Sequence, residues 1–375
     1  MGTWHKIVLG DCRNMREVPD GAVHLMVTSP PYYNAPFDYP DLFKSYESYL
    51  DLIRSLAKEL MRVLADGRLA CFVTQDVRIK GKLYPICADI IKTMVEEGFT
   101  YRDKIVWRKP EGYIRISRRS GVLIQHPYPM YFHPDNIYEE IMLFQKGEFN
   151  YNYVKSLNTE TLRESKIDIE QFNRDKRYLT VWDITNVLPL KNRLEEGIAA
   201  FPEEIPRRLI ELFTFKGETV LDPFLGSGTT SKVAKELGRN SYGYEIDLEL
   251  KEVILKKIGA SQATLTSGLA CEVEVIERED VKRLRTFLQE RVREQKSVVR
   301  EKSLQSVPIP RSVREPPKAK TSKGKSGWEK LKLALPTVEA VEERLKKAKE
   351  KNLSQGYIRA LERLKAYRIK ELGKF

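Results

Sequence analysis

Val220-Leu221-Asp222-Pro223-Phe224-Leu225-Gly226-Ser227-Gly228-Thr229-Thr230 is the stretch on which the reading of the fold turns. An apolar run ends on a carboxylate, a glycine turn follows, and residues with helical spacing come next. That succession is strand, turn and helix, and it sets backbone N–H groups and a helix N-terminus beside a ligand. It is not a P-loop, because no Lys-Ser/Thr pair stands at the required spacing, and Ser231 replaces the third glycine of a dinucleotide fingerprint. The next strand ends at Glu245, 19 residues after Gly226, where a carboxylate can accept hydrogen bonds from both ribose hydroxyls. Asp222, Phe224, Gly226, Ser227, Gly228, Thr229 and Glu245 therefore read as a nucleoside-binding set.

Strand and helix patterns alternate outward from this point. Upstream, the spacing predicts a strand over Val23–Thr28, a helix over Tyr46–Leu64 stopped by Gly67, a strand over Leu69–Thr74, a helix over Ile86–Glu97 and a strand over Lys104–Trp107. Around the glycine turn it predicts helices over Glu203–Thr214 and Thr229–Leu237 and strands over Thr219–Asp222 and Ser241–Glu245. Such alternation implies an α/β fold with a mostly parallel sheet and crossover helices on both faces. Between Lys109 and about Asp183 the pattern breaks down into aromatics, arginines, glycines and prolines. The core is expected to close near Gly259, with a strand (Glu272–Ile276) and a helix (Val281–Glu294) after it. Ser303–Ser326 is rich in Pro, Ser and Lys and reads as a linker, followed by basic helices over Glu339–Lys349 and Gln355–Leu372.

Charge is placed as unevenly as structure. From Arg300 to Phe375 there are 21 Lys and Arg against nine Asp and Glu, so this last fifth carries the whole net charge of +12. A field of that sign attracts polyanions, although a solvated tail would look the same in isolation. No window has the run of about 18 apolar residues that spans a bilayer, and no secretory signal core opens the chain, so a cytoplasmic location is expected. Cys12, Cys71, Cys87 and Cys271 are too widely spaced for a zinc or redox pair, and no metal is expected.

A second motif, Thr28-Ser29-Pro30-Pro31-Tyr32, ends the Val23–Thr28 strand. The amine of a nucleobase is a poor nucleophile because its lone pair is conjugated into the ring. Acceptors for its two protons draw the nitrogen toward tetrahedral geometry and stabilise the charge that develops on it. Ser29 Oγ offers one acceptor and a backbone carbonyl of the Ser29-Pro30-Pro31 segment another, while the prolines hold both still. Tyr32 supplies a flat face for a flipped base.

In this order the two motifs resemble those of the DNA amino-methyltransferases, in the circularly permuted group whose catalytic motif precedes the cofactor loop. The resemblance covers roughly residues 6–258 and implies a Rossmann-like fold that uses S-adenosyl-L-methionine. It implies catalytic roles for Ser29, Pro30, Pro31 and Tyr32. For the cofactor it adds Thr28, then Asp11 and Cys12 beside the adenine, and Phe201 and Pro202 on a helix over the methionine end. Ser-Pro-Pro-Tyr is more typical of cytosine N4 methylation and Asp-Pro-Pro-Tyr of adenine N6. A cytosine C5 enzyme would need a thiolate after a proline, and no cysteine here follows one.

The implied organisation is a methyltransferase domain over 1–260, with target recognition in 111–182, an extension over 261–300, a linker over 301–327 and a basic helical tail over 328–375. Lys109, Arg115, Arg118 and Arg119 are the expected DNA contacts. Double-stranded DNA is the expected partner, with a cognate restriction endonuclease completing a restriction-modification system. RNA and protein methyltransferases with a similar tetrapeptide generally carry the cofactor loop first. A non-catalytic DNA-binding module would predict a degraded glycine turn or tetrapeptide.

Overall fold

Successive residues of a strand point to opposite faces, and here both faces are apolar. Val8, Met26, Phe72 and Leu221 enter one buried layer, while Leu25, Val27, Cys71, Val73 and Val220 enter another. A sheet buried on both sides follows.

The computed structural model describes residues 2–34, 42–79, 81–110, 136–185, 202–259, 271–283 and 338–350, with 358, 361, 362, 364 and 365. The strands are β1 (Thr3–Leu9), β2 (Val23–Thr28), β3 (Leu64–Thr74), β4 (Val77–Ile79), β5 (Lys82–Tyr84), β6 (Thr100–Arg108), β7 (Tyr138–Gln145), β8 (Val181–Asp183), β9 (Thr219–Asp222), β10 (Asn240–Glu245) and β11 (Cys271–Glu277). The helices are α1 (Tyr46–Val63), α2 (Ile86–Glu96), α3 (Asn152–Ser156), α4 (Thr159–Glu164), α5 (Ile169–Arg174), α6 (Glu204–Phe213), α7 (Thr229–Glu236), α8 (Lys251–Ile258) and α9 (Val338–Glu350). The chain divides into two units, Met1–Gln305 and Ser306–Phe375.

In the first unit nine strands form one sheet in the order β11-β1-β10-β9-β2-β3-β7-β6-β8. Every described pairing in it is parallel except those of β7 with β3 and β6. The β4-β5 hairpin stands apart. α1 starts at a Ser45–Ser48 capping box and buries Tyr49, Ile53, Leu56, Leu60 and Val63 against one face. Ile205, Leu209 and Ile210 of α6, with Val233 and Ala234 of α7, cover the other. The crossover helices change face between β9 and β2, which makes that junction the switch point where open α/β sheets bind ligands.

Three expectations are corrected. The stretch 111–182 is not a single insertion, because β7 lies within it as an interior strand and β8 closes the sheet edge at Val181–Asp183. Ile141, Met142 and Phe144 are fully buried there. The sheet also continues past residue 260, since β11 pairs with β1 from Thr3–Cys271 to Leu9–Glu277. Finally, α1 stops at Val63, and Gly67 lies inside β3 instead of ending the helix. Residues 281–283 are not helical, and the rest of the helix expected over Val281–Glu294 lies outside the described residues, as do residues 301–327.

The second unit has its own small core around α9. Val341 and Ala348 of α9 are buried with Ile358, Leu361 and Leu364. Ion pairs Lys365–Glu342 at 2.7 Å and Lys349–Glu362 at 3.2 Å require the two stretches to run antiparallel.

Candidate active site

Because β1, β2, β9 and β10 are parallel, their C-terminal ends meet on one edge of the sheet. A cavity of about 380 Å³ opens there. Its wall includes Gly10, Asp11 and Cys12 after β1, Ser29, Pro30, Pro31 and Tyr32 after β2, Asp222 to Ser227 and Thr229 after β9, and Glu245 at the end of β10. Two motifs nearly two hundred residues apart in sequence thus face one space.

The loop after β9 is held by its own buried polar groups. Thr28 Oγ1 donates to Asp222 Oδ1 at 2.6 Å, and Phe224 N–H donates to the same oxygen at 3.2 Å. Burial pushes the Asp222 carboxyl up to about 6, against the opposing pull of Thr28, Thr230 and the Phe224 N–H. Thr28 therefore fastens the end of β2 to the glycine loop and lies behind the cavity wall. Gly226 and Gly228 adopt φ of +56° and +89°, a region closed to most side chains. That turn points Gly226 N–H at Glu245 Oε2, 2.8 Å away. Lys257 of α8 donates to Ser227 Oγ at 2.7 Å and Thr229 Oγ1 at 2.8 Å, fixing both hydroxyls from below.

Glu245 is 8% exposed and receives Asp247 N–H on Oε1 at 2.9 Å, so each carboxylate oxygen keeps a lone pair for a ligand. Burial raises its carboxyl to about 7, with the Asp247 and Gly226 N–H groups opposing the shift. Ribose hydroxyls, which donate, are best accepted by the ionised form. Affinity for a nucleoside ligand held by Glu245 is therefore expected to be full about one unit above pH 7 and to fall toward tenfold per unit as the carboxylate takes up its proton below 7. Calorimetric titration between pH 5.5 and 8.5 checks this; a flat profile would remove Glu245 from the binding set.

Cys12 is the cysteine at this wall, 4% exposed, and burial raises its thiol well above the ordinary value. Burial acts to raise the Asp11 carboxyl, but Arg13, bound through Nε at 3.0 and 2.9 Å, holds it below the usual range.

Tyr32 lies at the wall yet is only 3% exposed, so a base can stack on it only after its cover moves. Its hydroxyl donates to Glu139 Oε2 at 2.9 Å, and Lys109 Nζ reaches Glu139 Oε1 at 2.6 Å while lying over the Trp107 ring. Lys109, expected at DNA, is thus engaged with a 5%-exposed glutamate behind the tetrapeptide. Pro202 is buried just before α6 and is absent from the cavity wall, as is Gly228 behind the turn. Phe201, Arg115, Arg118 and Arg119 lie outside the described residues. Glu139, Lys257 and Lys282, the last at the cavity wall, escaped sequence reading: each works through contacts remote in sequence.

A doubly covered, mostly parallel sheet with a glycine loop and a buried carboxylate at its carboxyl edge is the Rossmann-like fold found in S-adenosylmethionine-dependent methyltransferases. The cavity suits that cofactor, with two acceptors at Glu245, fixed hydroxyls at Ser227 and Thr229 and apolar wall at Phe224 and Leu225.

Residues 23–257 match the N6/N4 methyltransferase family, described as DNA methylase, and the chain belongs to it. Among its relatives, the type II methyltransferase M.MjaI of Methanocaldococcus jannaschii is 35% identical over 313 residues, covering 74% of this chain and 97% of that protein. The DNA adenine methyltransferase YhdJ of Escherichia coli is 24% identical over 280 residues, covering 70% and 86%. A putative DNA modification methylase of Thermus thermophilus, solved with S-adenosyl-L-methionine, superposes with a TM-score of 0.54 at 28% identity, covering 72% of this chain and 98% of that one. S-adenosyl-L-methionine is the cofactor, DNA the substrate, and among the described residues no helix is long and apolar enough to cross a membrane.

Proposed function

We propose that the chain methylates the N4 amine of a cytosine flipped out of double-stranded DNA at a specific sequence, as the modification arm of a type II restriction-modification system. The observation that carries this is the shared cavity of Ser29-Pro30-Pro31-Tyr32 and the Asp222–Thr229 loop. When bound, S-adenosylmethionine supplies an electrophilic sulfonium methyl. Ser29 Oγ and a carbonyl of the Ser29-Pro30-Pro31 segment accept hydrogen bonds from the amine's N–H groups and stabilise positive charge on the nitrogen as the sulfur–methyl bond breaks and the nitrogen–methyl bond forms. The methylated nitrogen then releases one proton to solvent. Pro30 and Pro31 fix those acceptors, and Asp222, through Thr28, ties their loop to the cofactor loop. No cysteine of the chain follows a proline, and Cys12, the cysteine at the wall, is buried, which sets the site apart from the thiolate chemistry of C5 enzymes.

Cytosine is preferred because the first polar residue of the tetrapeptide is a serine. YhdJ is an adenine enzyme by name, so adenine N6 is the competing target. Mass spectrometry of nucleosides from duplex DNA methylated in vitro is expected to show N4-methylcytosine; N6-methyladenine would reverse the choice of base. The name type II, shared by M.MjaI and other relatives, supports a cognate endonuclease. Sequence reading is assigned to the region from about Lys109 to Tyr178, where Arg115, Arg118 and Arg119 fall.

Glu139 holds the tyrosine that meets the base. Glu139→Leu is expected to slow single-turnover methyl transfer about tenfold, the worth of a hydrogen bond to a charged group. In a Tyr32→Phe background, which already lacks the hydroxyl, the same substitution should cost little more. Full additivity of the two losses would show that Glu139 acts elsewhere.

A further inference from the structure

The family match ends at residue 257, yet the cavity wall continues to Lys282. After β11 the chain folds back across the ends of β1 and β10. Arg278 N–H donates to the Leu9 carbonyl at 2.9 Å, and its guanidinium reaches the Asn14 carbonyl at 2.7 Å. Asp280 Oδ2 accepts from Asp11 N–H at 3.2 Å and from Arg278 at 2.8 Å. On the β10 side, Lys282 N–H donates to the Ile246 carbonyl, and the Lys282 carbonyl accepts from Leu248 N–H, both at 2.9 Å. One short segment stitches two turns that form the same part of the wall.

The arrangement is a built clamp, unlike an ordinary surface ion pair. The Arg278 side chain is 9% exposed, and its donors are spent on the turn after β1, with Glu17 Oε2 a further 3.6 Å away. Gly10 leaves room for it: a side chain there would begin 2.6 Å from Arg278 Cδ and 3.1 Å from Asp280 Oδ1.

We propose that Arg278 and Asp280 are positioning residues for the adenosine half of the cofactor, acting through the Gly10–Asn14 turn from outside the family-matched region. The inference rests on reading Asp11, Cys12 and Glu245 as the adenosine end of the site. The buried, multiply bonded Arg278, with the Asp280 side chain (36% exposed) bridging it to Asp11 N–H, holds the turn in one geometry, so the ligand does not bear the cost of ordering it. Losing the clamp therefore weakens every ligand that carries adenosine, by the same factor.

The test is calorimetry on the full chain with S-adenosylhomocysteine and with 5′-methylthioadenosine, which lacks the amino-acid half, at a temperature where each variant's circular dichroism is native. Asp280→Ala is expected to raise the Kd of both ligands about fivefold, the worth of one hydrogen bond. Asp280→Asn keeps an acceptor for Asp11 N–H and should retain most of the affinity. Arg278→Ala repeats the measurement should Asp280→Ala not fold. Unchanged Kd values for folded variants, or weakening confined to S-adenosylhomocysteine, would overturn the positioning role and leave the site reading intact. A wild-type chain that binds neither ligand would sink that reading and this inference together.

Discussion

Ser29→Ala is expected to lower the single-turnover rate of methyl transfer by about two orders of magnitude, the usual cost of one preorganised charge-stabilising contact. In the proposed mechanism the base amine develops positive charge as its nitrogen becomes tetrahedral, and the serine oxygen accepts a hydrogen bond that strengthens with that change. Because the interaction strengthens only toward the transition state, affinities for DNA and cofactor should stay within a factor of two. Ser29 is half-buried at the cavity wall and the substitution removes a single oxygen, so the variant should fold. Rapid-quench assays with labelled cofactor read the rate. An undiminished rate would remove the hydroxyl from the chemistry.

Gly226→Val is expected to abolish measurable cofactor binding, a loss of at least a hundredfold. A β-branched residue at φ +56° is strained, and relief of that strain would rotate the Gly226 N–H away from Glu245 Oε2. The ribose acceptor and the turn would then be lost together, while β9 and α7, anchored by Val220, Val233 and Ala234, stay packed. Native circular dichroism with no calorimetric signal for S-adenosylhomocysteine is the expected pair of results. Retained binding would show that the turn tolerates a different path and that its glycine is incidental.

The parts of this site that could be read from sequence are those where backbone geometry restricts residue type. A left-handed turn calls for glycine at 226 and 228, a rigid acceptor loop for proline at 30 and 31, and a buried parallel strand for the apolar runs before each. β7 was hidden because its apolar half, Ile141 to Phe144, is short and follows a stretch rich in breakers, with Glu139 and Glu140 at its start. β11 was foreseen as a strand, but its alternating Glu-Val pattern, typical of a sheet edge, carries no sign of which strand it pairs with. The Lys257, Glu139 and Asp280 contacts bridge 28 to 269 residues, and a lysine or carboxylate on a helix, a strand end or a turn reads as solvated surface. Lys109 is a further case: nothing in the sequence signals that a basic residue expected at DNA pairs with a buried glutamate.

The physical claim beneath all of this is that methyl donor and base amine meet between the two loops at the carboxyl edge of the sheet. A crystal structure of the chain with S-adenosylhomocysteine and a cognate duplex tests it directly. The account places the ligand's sulfur between the Gly226–Gly228 turn and Ser29, with an everted base amine against the Ser29 oxygen. A ligand bound elsewhere on the sheet, or a base presented away from Ser29-Pro30-Pro31, would contradict it.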